Sequence, residues 1–410
     1  MLQKSLKNTT VVDFTQIGAG PTCTMYLGDL GARVIKIEPP KGDIGRALGP
    51  PWHGENSAIY AAFNRNKQSI GLDLSNEEGK RVALKLIEKA DVVVESFRPG
   101  VMGRLGLDYP VVRKLKPDVV YCSVSAYGQD GPYAGHAGVD GIIQAASGLM
   151  SLIGFEGGEP CKVQAPIVDV ATGYLATIAV LAGLHHRAMT GEGMFLDASL
   201  FSSAIALQQS SITGYLADHA VPLKLGSAAP YSAPNEAFRT SDGWIMVAAY
   251  SPERWLALCK KVLDAAELAE TPELATSSDR VEHRGMLRRV LSPFFEKHTT
   301  AEWVKRLEAE DILCSPVNDY ASLLEHPQLK ERGILVEMQP PRPGGPMLSM
   351  PGFPVRTSRE GHQYKYPPAL SEHADEILAW AGYGPDQIDC LYANGVVGRH
   401  VPLRAGNTGE

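Results

Sequence analysis

The stretch VVDFTQIGAGPTCTMYLGDLGARVIKIE, residues 11–38, decides the fold. Val11 to Phe14 reads as a short buried strand, the segment up to Leu30 as a helix, and Arg33 to Glu38 as a second strand. Strand, crossover helix and strand make a βαβ unit, the way a chain joins parallel neighbours in a sheet. The cycle repeats downstream. Ser69 to Leu74 is strand-like, Ser75 and Glu78 have the spacing of a capping box for a helix ending near Lys89, and Asp91 to Glu95 and Val119 to Val124 are further strands. The pattern predicts an α/β fold with a parallel sheet covered by helices on both faces.

Composition narrows the class. A chain of 410 residues exceeds what one core usually serves, so two domains are expected. Hydrophobic content of 44% with 21% charged residues is that of a soluble globular enzyme, and a net charge of -7 offers no general attraction to nucleic acid or anionic membrane, so neither is an expected partner. Cys23, Cys122, Cys161, Cys259, Cys314 and Cys390 lie far apart, with no close pair to suggest zinc ligation or a redox dithiol, and are read as reduced. Lys4 and Lys7 are not followed by the apolar run of a secretory signal. The most apolar stretch, Val163 to Leu184, is interrupted by Gln164, Asp169 and two glycines and reads as lacking the unbroken length of a membrane span. The cytoplasm is the expected compartment.

Further along, Met194 to Ser203 reads as strand then helix, and VPLKLGSAAPYSA (221–233) has no periodicity and reads as a linker or active-site loop. Ala237 to Ala249 holds two strands around the turn Ser241-Asp242-Gly243, followed by a helix from Pro252 to Leu263 that turns Trp255 and Leu258 inward. Thr299 and Glu302 have capping-box spacing. Residues 1–220 are thus the first part of a large domain and 225–330 a small α+β domain. Met338 to Tyr366 is rich in Pro and Gly and reads as extended connector; a helix follows Ser371, and the tail from Gly398 to Glu410 is expected to be loosely held.

The chemistry concentrates at Asp169. It precedes an apolar run in which Thr172, Tyr174 and Thr177 are the only polar side chains between Val170 and Leu184, the pattern of a buried helix. Asp at a helix start caps free N–H groups. The same position puts the carboxylate at the positive end of the helix dipole, which would hold it ionised and able to act as a nucleophile. Both readings stand together.

Other motifs carry alternatives. IGAGPTC (17–23) follows a strand and opens a helix, and Glu38 ends the next strand about 20 residues later, as a dinucleotide fingerprint requires; Cys23, however, replaces the third glycine and Pro21 stiffens the turn. A nicotinamide-dependent oxidoreductase and a βα turn serving another ligand therefore both fit. Ser96-Phe97-Arg98 closes a strand where open α/β sheets place ligands, and Arg98 and Arg104 are either a phosphate-binding pair or a surface pair, as Phe97 is either a base-stacking or a core aromatic. His185 and His186 are adjacent on one helix, point to different faces and cannot ligate one metal, so no metal site is expected.

Taken in order, VVDFTQIGAGP, LGDLGARVIKIEPPKGD, NRNKQSIGLDL, ADVVVESFRPGVMGRLGL, SAYGQDGPY, the Asp169 segment with TGEG, FRTSDGW, EHPQLKERG and PPALSEHADEILAWAGY resemble the class III CoA-transferase family, to which formyl-CoA transferase, carnitine CoA-transferases and α-methylacyl-CoA racemase belong. The resemblance implies a Rossmann-like large domain completed by residues 331–410, a small domain between its two parts, and an interlocked homodimer. It implies Asp169 as the catalytic aspartate, with coenzyme A contacts at Gly18, Ala19, Leu72, Ser96, Phe97, Arg98, Arg104 and around Ala137, and substrate contacts at Asp140 and Gly226. It further implies no permanently bound cofactor, with CoA and acyl-CoA as substrates and a carboxylic, expectedly dicarboxylic, acid as the partner of exchange. Backbone near Gly138 and Gly226 is expected to stabilise oxyanions.

Departures from the family pattern narrow the expectation. The racemase branch has a His before the aspartate matching Asp140, where this chain has Val139, which argues against the racemase alternative. The loop 224–232, KLGSAAPYS, has the single Gly226 where formyl-CoA transferases carry a run of glycines, which argues against formate or oxalate. Pro39 stands where that subgroup has an arginine near the adenine, leaving Lys36, Lys41 or Arg46 to hold the nucleotide phosphates.

Overall fold

A computed structural model of the chain describes residues 2–53, 56–341, 345–356 and 363–399. Apolar runs become six strands of one sheet: β1 (Thr10–Phe14), β2 (Arg33–Glu38), β3 (Lys67–Gly71), β4 (Val92–Glu95), β5 (Val120–Ser125) and β6 (Met194–Ser199). Their order is β3-β2-β1-β4-β5-β6 and every neighbouring pair is parallel. The order reverses between β1 and β4, and in open sheets of this kind ligands bind outside the carboxyl ends of the strands at that reversal. Phe14 lies beside Glu95 in register, so the turn at 15–18 and Ser96 leave the sheet side by side.

Alternation along the strands fills both faces. Val12, Phe14, Ile35, Ile70 and Val93 pack with helix α2 (Glu77–Glu88) and with the later helices α5 (Ala374–Ala381) and α6 (Pro385–Ala393). Val11, Val34, Val92, Val94 and Val120 pack on the opposite face with α1 (Ala19–Asp29) and α4 (Ile167–Thr190), the short helix α3 (Asp140–Ala146) adding Ile143.

Several local expectations need correction. The cap of α2 is Asn76, which accepts from the Glu78 N–H, while Ser75 instead bonds Asp73. Strand β3 begins at Lys67 and ends at Gly71, beyond which Leu72 bridges to Val397. Helix α4 is 24 residues, long and apolar enough by composition to cross a membrane, contrary to the reading of that stretch. It is also not wholly buried: Val168, Thr172, Gly173, Ala176, Thr177, Val180 and Gly183 face the protein, whereas Ile178 is 61% exposed and Leu175 and Met189 are exposed with it. Between Met338 and Tyr366 the chain is not connector throughout, because β10 (Leu335–Met338) pairs antiparallel with β11 (Leu348–Pro351). Two helices, not one, follow Ser371. The tail beyond Arg399 lies outside the described residues.

The chain divides into two compact units, one of Met1–Met150, Lys162–Ala220 and Gly333–Glu410, the other of Ser151–Cys161 and Val221–Arg332. The excursion 151–161 joins the second unit through a Phe155–Leu225 bridge and the Gly226 N–H, which donates to the Gly154 carbonyl at 2.7 Å. The second unit is built on an antiparallel sheet of β7 (Asn235–Arg239), β8 (Trp244–Ala248) and β9 (Leu313–Pro316). Trp255 and Leu258 are buried in its core with Phe238, Phe295 and Trp303, and the Thr299–Glu302 capping box is present.

Candidate active site

The site begins with the turn after β1. Asp13, fully buried, accepts from the Thr15 N–H at 2.8 Å and from its hydroxyl at 2.5 Å; the Thr15 carbonyl accepts from Lys36 Nζ at 2.7 Å; and the Gln16 N–H donates to Ser96 Oγ at 3.0 Å. With these groups tied, Ile17 is held at φ +68°, a region a β-branched residue avoids at a cost of about 1–3 kcal/mol unless its surroundings over-determine it. The turn then delivers Gly18 as the N-cap of α1, which has no side-chain cap. Pro21 has no N–H, and the N–H groups of Ala19 and Gly20 donate no hydrogen bond among the described residues. They are open donors at the positive end of a helix.

Helix α4 crosses α1 at this turn, and the crossing is close because glycines meet it. A Cβ on Gly173 would lie 2.5 Å from Thr22 Cβ and 2.9 Å from the Ala19 carbonyl, and one on Gly18 would lie 2.3 Å from Asp169 Oδ2. Glycine is the residue that permits such an approach. The threonines noted in the sequence are satisfied within the helix, Thr172 donating to the Val168 carbonyl and Thr177 to that of Gly173, both at 2.7 Å.

Asp169 is the third residue of α4 and does not cap it: its carboxylate accepts no hydrogen bond among the described residues. The capping reading is thereby corrected. Asp140 does the work from another helix, its Oδ2 accepting from the N–H groups of Val168 at 2.8 Å and Asp169 at 3.2 Å, its Oδ1 from Gln144 Nε2 at 2.6 Å. The dipole does not hold Asp169 in the usual carboxylate range either. Burial first, and the Asp140 charge second, push it up to about 7. The arrangement therefore gives a half-buried carboxylate without hydrogen bonds among the described residues, packed against Gly18 at the start of the helix whose Ala19 and Gly20 N–H groups are open. A carboxylate so poorly stabilised is a better nucleophile than one in water.

The remaining expected residues divide. Ser96 fixes the turn as described, and Phe97 packs partly against the core. Arg98 and Arg104 are exposed and, among the described residues, form no ion pair. Leu72 has a buried side chain and an N–H bound to the Glu38 carbonyl at 2.7 Å. Ala137 is exposed in the loop before α3, and the Gly138 N–H donates no bond among the described residues. The Gly226 N–H donates to the Gly154 carbonyl, so this one of the expected backbone donors is already paired, and a Cβ at Gly226 would overlap the Phe155 ring.

The basic residues nominated for nucleotide phosphates are corrected in two cases. Lys36 is fully buried and pairs with Asp43 at 2.8 Å; Arg46 makes two bonds of 2.7 Å to Glu38 and lies over the Tyr60 ring. Lys41 remains exposed. Glu38 also accepts from Ser69 Oγ at 2.6 Å, so it is not free to read a ribose as a dinucleotide site requires. Cys23 is buried, and burial pushes its thiol up to about 12. Gln144 was missed by sequence reasoning; a glutamine four residues after an aspartate carries no signal beyond helical spacing.

Three comparisons bear on this geometry. The model of CoA-transferase family III matches residues 6–374. The human succinyl-CoA:glutarate CoA-transferase is 36% identical over 400 residues, 97% of this chain and 91% of that protein, and the acetyl-CoA:oxalate CoA-transferase of Acetobacter aceti is 35% identical over 366 residues, 88% of this chain and 92% of that one. Among solved structures, a CAIB/BAIF family protein from Brucella suis is similar with a TM-score of 0.82 at 33% identity, covering 92% of this chain and 98% of that one.

Proposed function

Because the chain belongs to CoA-transferase family III, we propose that it moves CoA from an acyl-CoA donor to a dicarboxylic acid acceptor, with Asp169 as the nucleophile. The observation that carries this reading is the Asp169 carboxyl, raised to about 7 and set against Gly18, in a turn where neither that carboxylate nor the Ala19 and Gly20 N–H groups form a hydrogen bond among the described residues.

The steps balance as acyl transfers. Ionised Asp169 attacks the thioester carbonyl; the C–S bond breaks, leaving a mixed anhydride and CoA thiolate. The thiolate attacks the aspartyl carbonyl, releasing the donor acid and forming a β-aspartyl-CoA thioester. The acceptor carboxylate attacks that thioester, regenerating an anhydride and thiolate, and the thiolate then takes the acceptor acyl group and frees Asp169. Each attack passes through an oxyanion, for which the Ala19 and Gly20 N–H groups are the donors we assign. Pockets of the anhydride must stay dry, and the half-burial of Asp169 supports this.

The dicarboxylate is supported by the names of the relatives, which specify succinyl-CoA with glutarate, and acetyl-CoA with oxalate. Exposed Ile178, Leu175 and Met189 along α4 support a homodimer that covers them. Coenzyme A is met by the turn at Gly18, by Ser96 to Arg98, and by Arg104. The test incubates the enzyme with succinyl-CoA and, separately, glutarate, oxalate, formate and butyrate as acceptors. Transfer to glutarate above the rest is expected; formate or butyrate as the preferred acceptor overturns the dicarboxylate reading. Asp169→Ala should abolish transfer while CoA still binds, and retained turnover removes Asp169 from the chemistry.

A further inference from the structure

Gln144 is completely buried and has no place in the transfer steps, yet its amide makes three hydrogen bonds. Nε2 donates to Asp140 Oδ1 at 2.6 Å and to the Val163 carbonyl at 3.1 Å, while Oε1 accepts from the Val163 N–H at 2.9 Å. An amide bound on both its oxygen and nitrogen has one orientation only. Turned over, it would set a donor against the Val163 N–H and an acceptor against both the Val163 carbonyl and Asp140.

This fixed orientation settles Asp140 in turn. With Oδ1 taken by Gln144, Oδ2 is left for the Val168 and Asp169 N–H groups at 2.8 and 3.2 Å. The segment leading into the nucleophile is therefore fastened to α3 at both ends, at Val163 by Gln144 and at Val168 and Asp169 by Asp140. Between these points Gln164, Ala165, Pro166 and Ile167 are exposed. Pro166, the residue before the first turn of α4, gives no side-chain cap, so the start of that helix is held from α3.

We infer that Gln144, acting through Asp140, is a positioning residue for the Asp169 carboxylate. The inference rests on Asp169 being the nucleophile and extends it to the groups that set its place. Near-attack geometry is sensitive: a displacement of about 1 Å costs on the order of 100-fold in rate. The charged groups near Asp169 are few. Asp140 acts on it from α3, and the α1 residues packed on the start of α4, Gly18, Ala19 and Thr22, do not titrate.

The test uses the full-length enzyme with Gln144→Leu, which removes all three bonds at similar volume, and Gln144→Glu, which keeps the shape and adds a charge beside Asp140. Gln144→Leu should lower kcat by about 10- to 100-fold, change KM for the acyl-CoA by less than about 3-fold, and slow formation of the hydroxylamine-trapped Asp169 adduct, read by mass spectrometry, in the same proportion. Gln144→Glu should move the acid limb of kcat/KM to higher pH, because added negative charge disfavours ionised Asp169. A residue that only supported the fold would lower Tm and leave the pH limb and the kcat of folded enzyme alone. Should Gln144→Leu not fold, the pH limb of Gln144→Glu decides. Wild-type kcat and an unmoved limb in the folded variants overturn the inference. Wild-type transfer without any adduct on Asp169 would instead overturn the nucleophile reading on which it rests.

Discussion

The Asp169 carboxylate occupies the space where a side chain on Gly18 would begin, with Oδ2 2.3 Å and Cγ 2.7 Å from the position of a Cβ at residue 18. Two helices distant in sequence thus meet through one missing methyl group, and the Asp169 carboxylate is placed by packing, with no hydrogen bond to it among the described residues. Gly18→Ala must shift α1, α4 or the Asp169 rotamer. It is expected to lower kcat/KM by about 100-fold or more and stability by about 1–3 kcal/mol. Transfer assays beside thermal unfolding check this. An alanine variant with wild-type turnover would show that the contact has slack.

Asp169 also sets a pH dependence of stability. Its folded value of about 7 lies above the ordinary 3.8, so the fold prefers the protonated form. The cost is therefore absent below about pH 4, grows between about 4 and 7, and is complete above, where it reaches about 4 kcal/mol. Asp169→Asn, which cannot ionise, should match the native chain near pH 4 and exceed it in stability at pH 8, while losing transfer. Denaturant midpoints at the two pH values are the measurement, and equal midpoints at pH 8 would contradict the assigned ionisation.

The sheet was legible in the sequence because its strands are apolar runs spaced by helices, and the local rules suffice for that. Asp169 was legible as a lone carboxylate at the head of an apolar helix. Its environment was not. Position in the sequence makes Asp169 a natural cap, yet the capping is done by Asp140 from a different helix, across 29 residues, a relation no spacing rule expresses. The same holds for the basic residues. Lys36 and Arg46 look available in the sequence beside the glycine-rich turn, but Asp43 and Glu38 fold back onto them inside the protein. Helix α4 reads as buried because it is apolar, although apolarity alone cannot say whether the chain's own core or another surface covers a given face.

The turn that carries Gly18 depends on a buried charge cluster, which gives a third expectation. Burial alone would raise Asp13; Lys67 and Lys36, with the Thr15 and Thr24 hydroxyls, outweigh it and hold it below the usual carboxylate range. Lys67 Nζ lies 3.1 Å from Asp13 Oδ2 with both side chains fully buried. Removing one partner of such a pair leaves a buried charge, so Lys67→Met should cost about 3–5 kcal/mol. Urea unfolding measures it, and a loss below about 1 kcal/mol would mean that Lys36 alone satisfies Asp13.

Val139 precedes Asp140 as the N-cap of α3 and makes no side-chain cap bond; it is 58% exposed and has no group that accepts a proton. Racemisation at the carbon next to a thioester needs a base on each face of that carbon, because one group cannot remove a proton from one side and return it to the other. With Asp169 as the proposed nucleophile and Val139 beside Asp140, the second base is lacking at that position. Acyl-CoA with a stereogenic α-carbon, incubated in deuterium oxide with the enzyme, should exchange its acyl group without gaining deuterium at the α-carbon. Mass spectrometry of the recovered thioester reads both events in one sample. Deuterium entering as fast as CoA is transferred would make proton abstraction part of the catalytic cycle and would assign a base to a residue other than Val139.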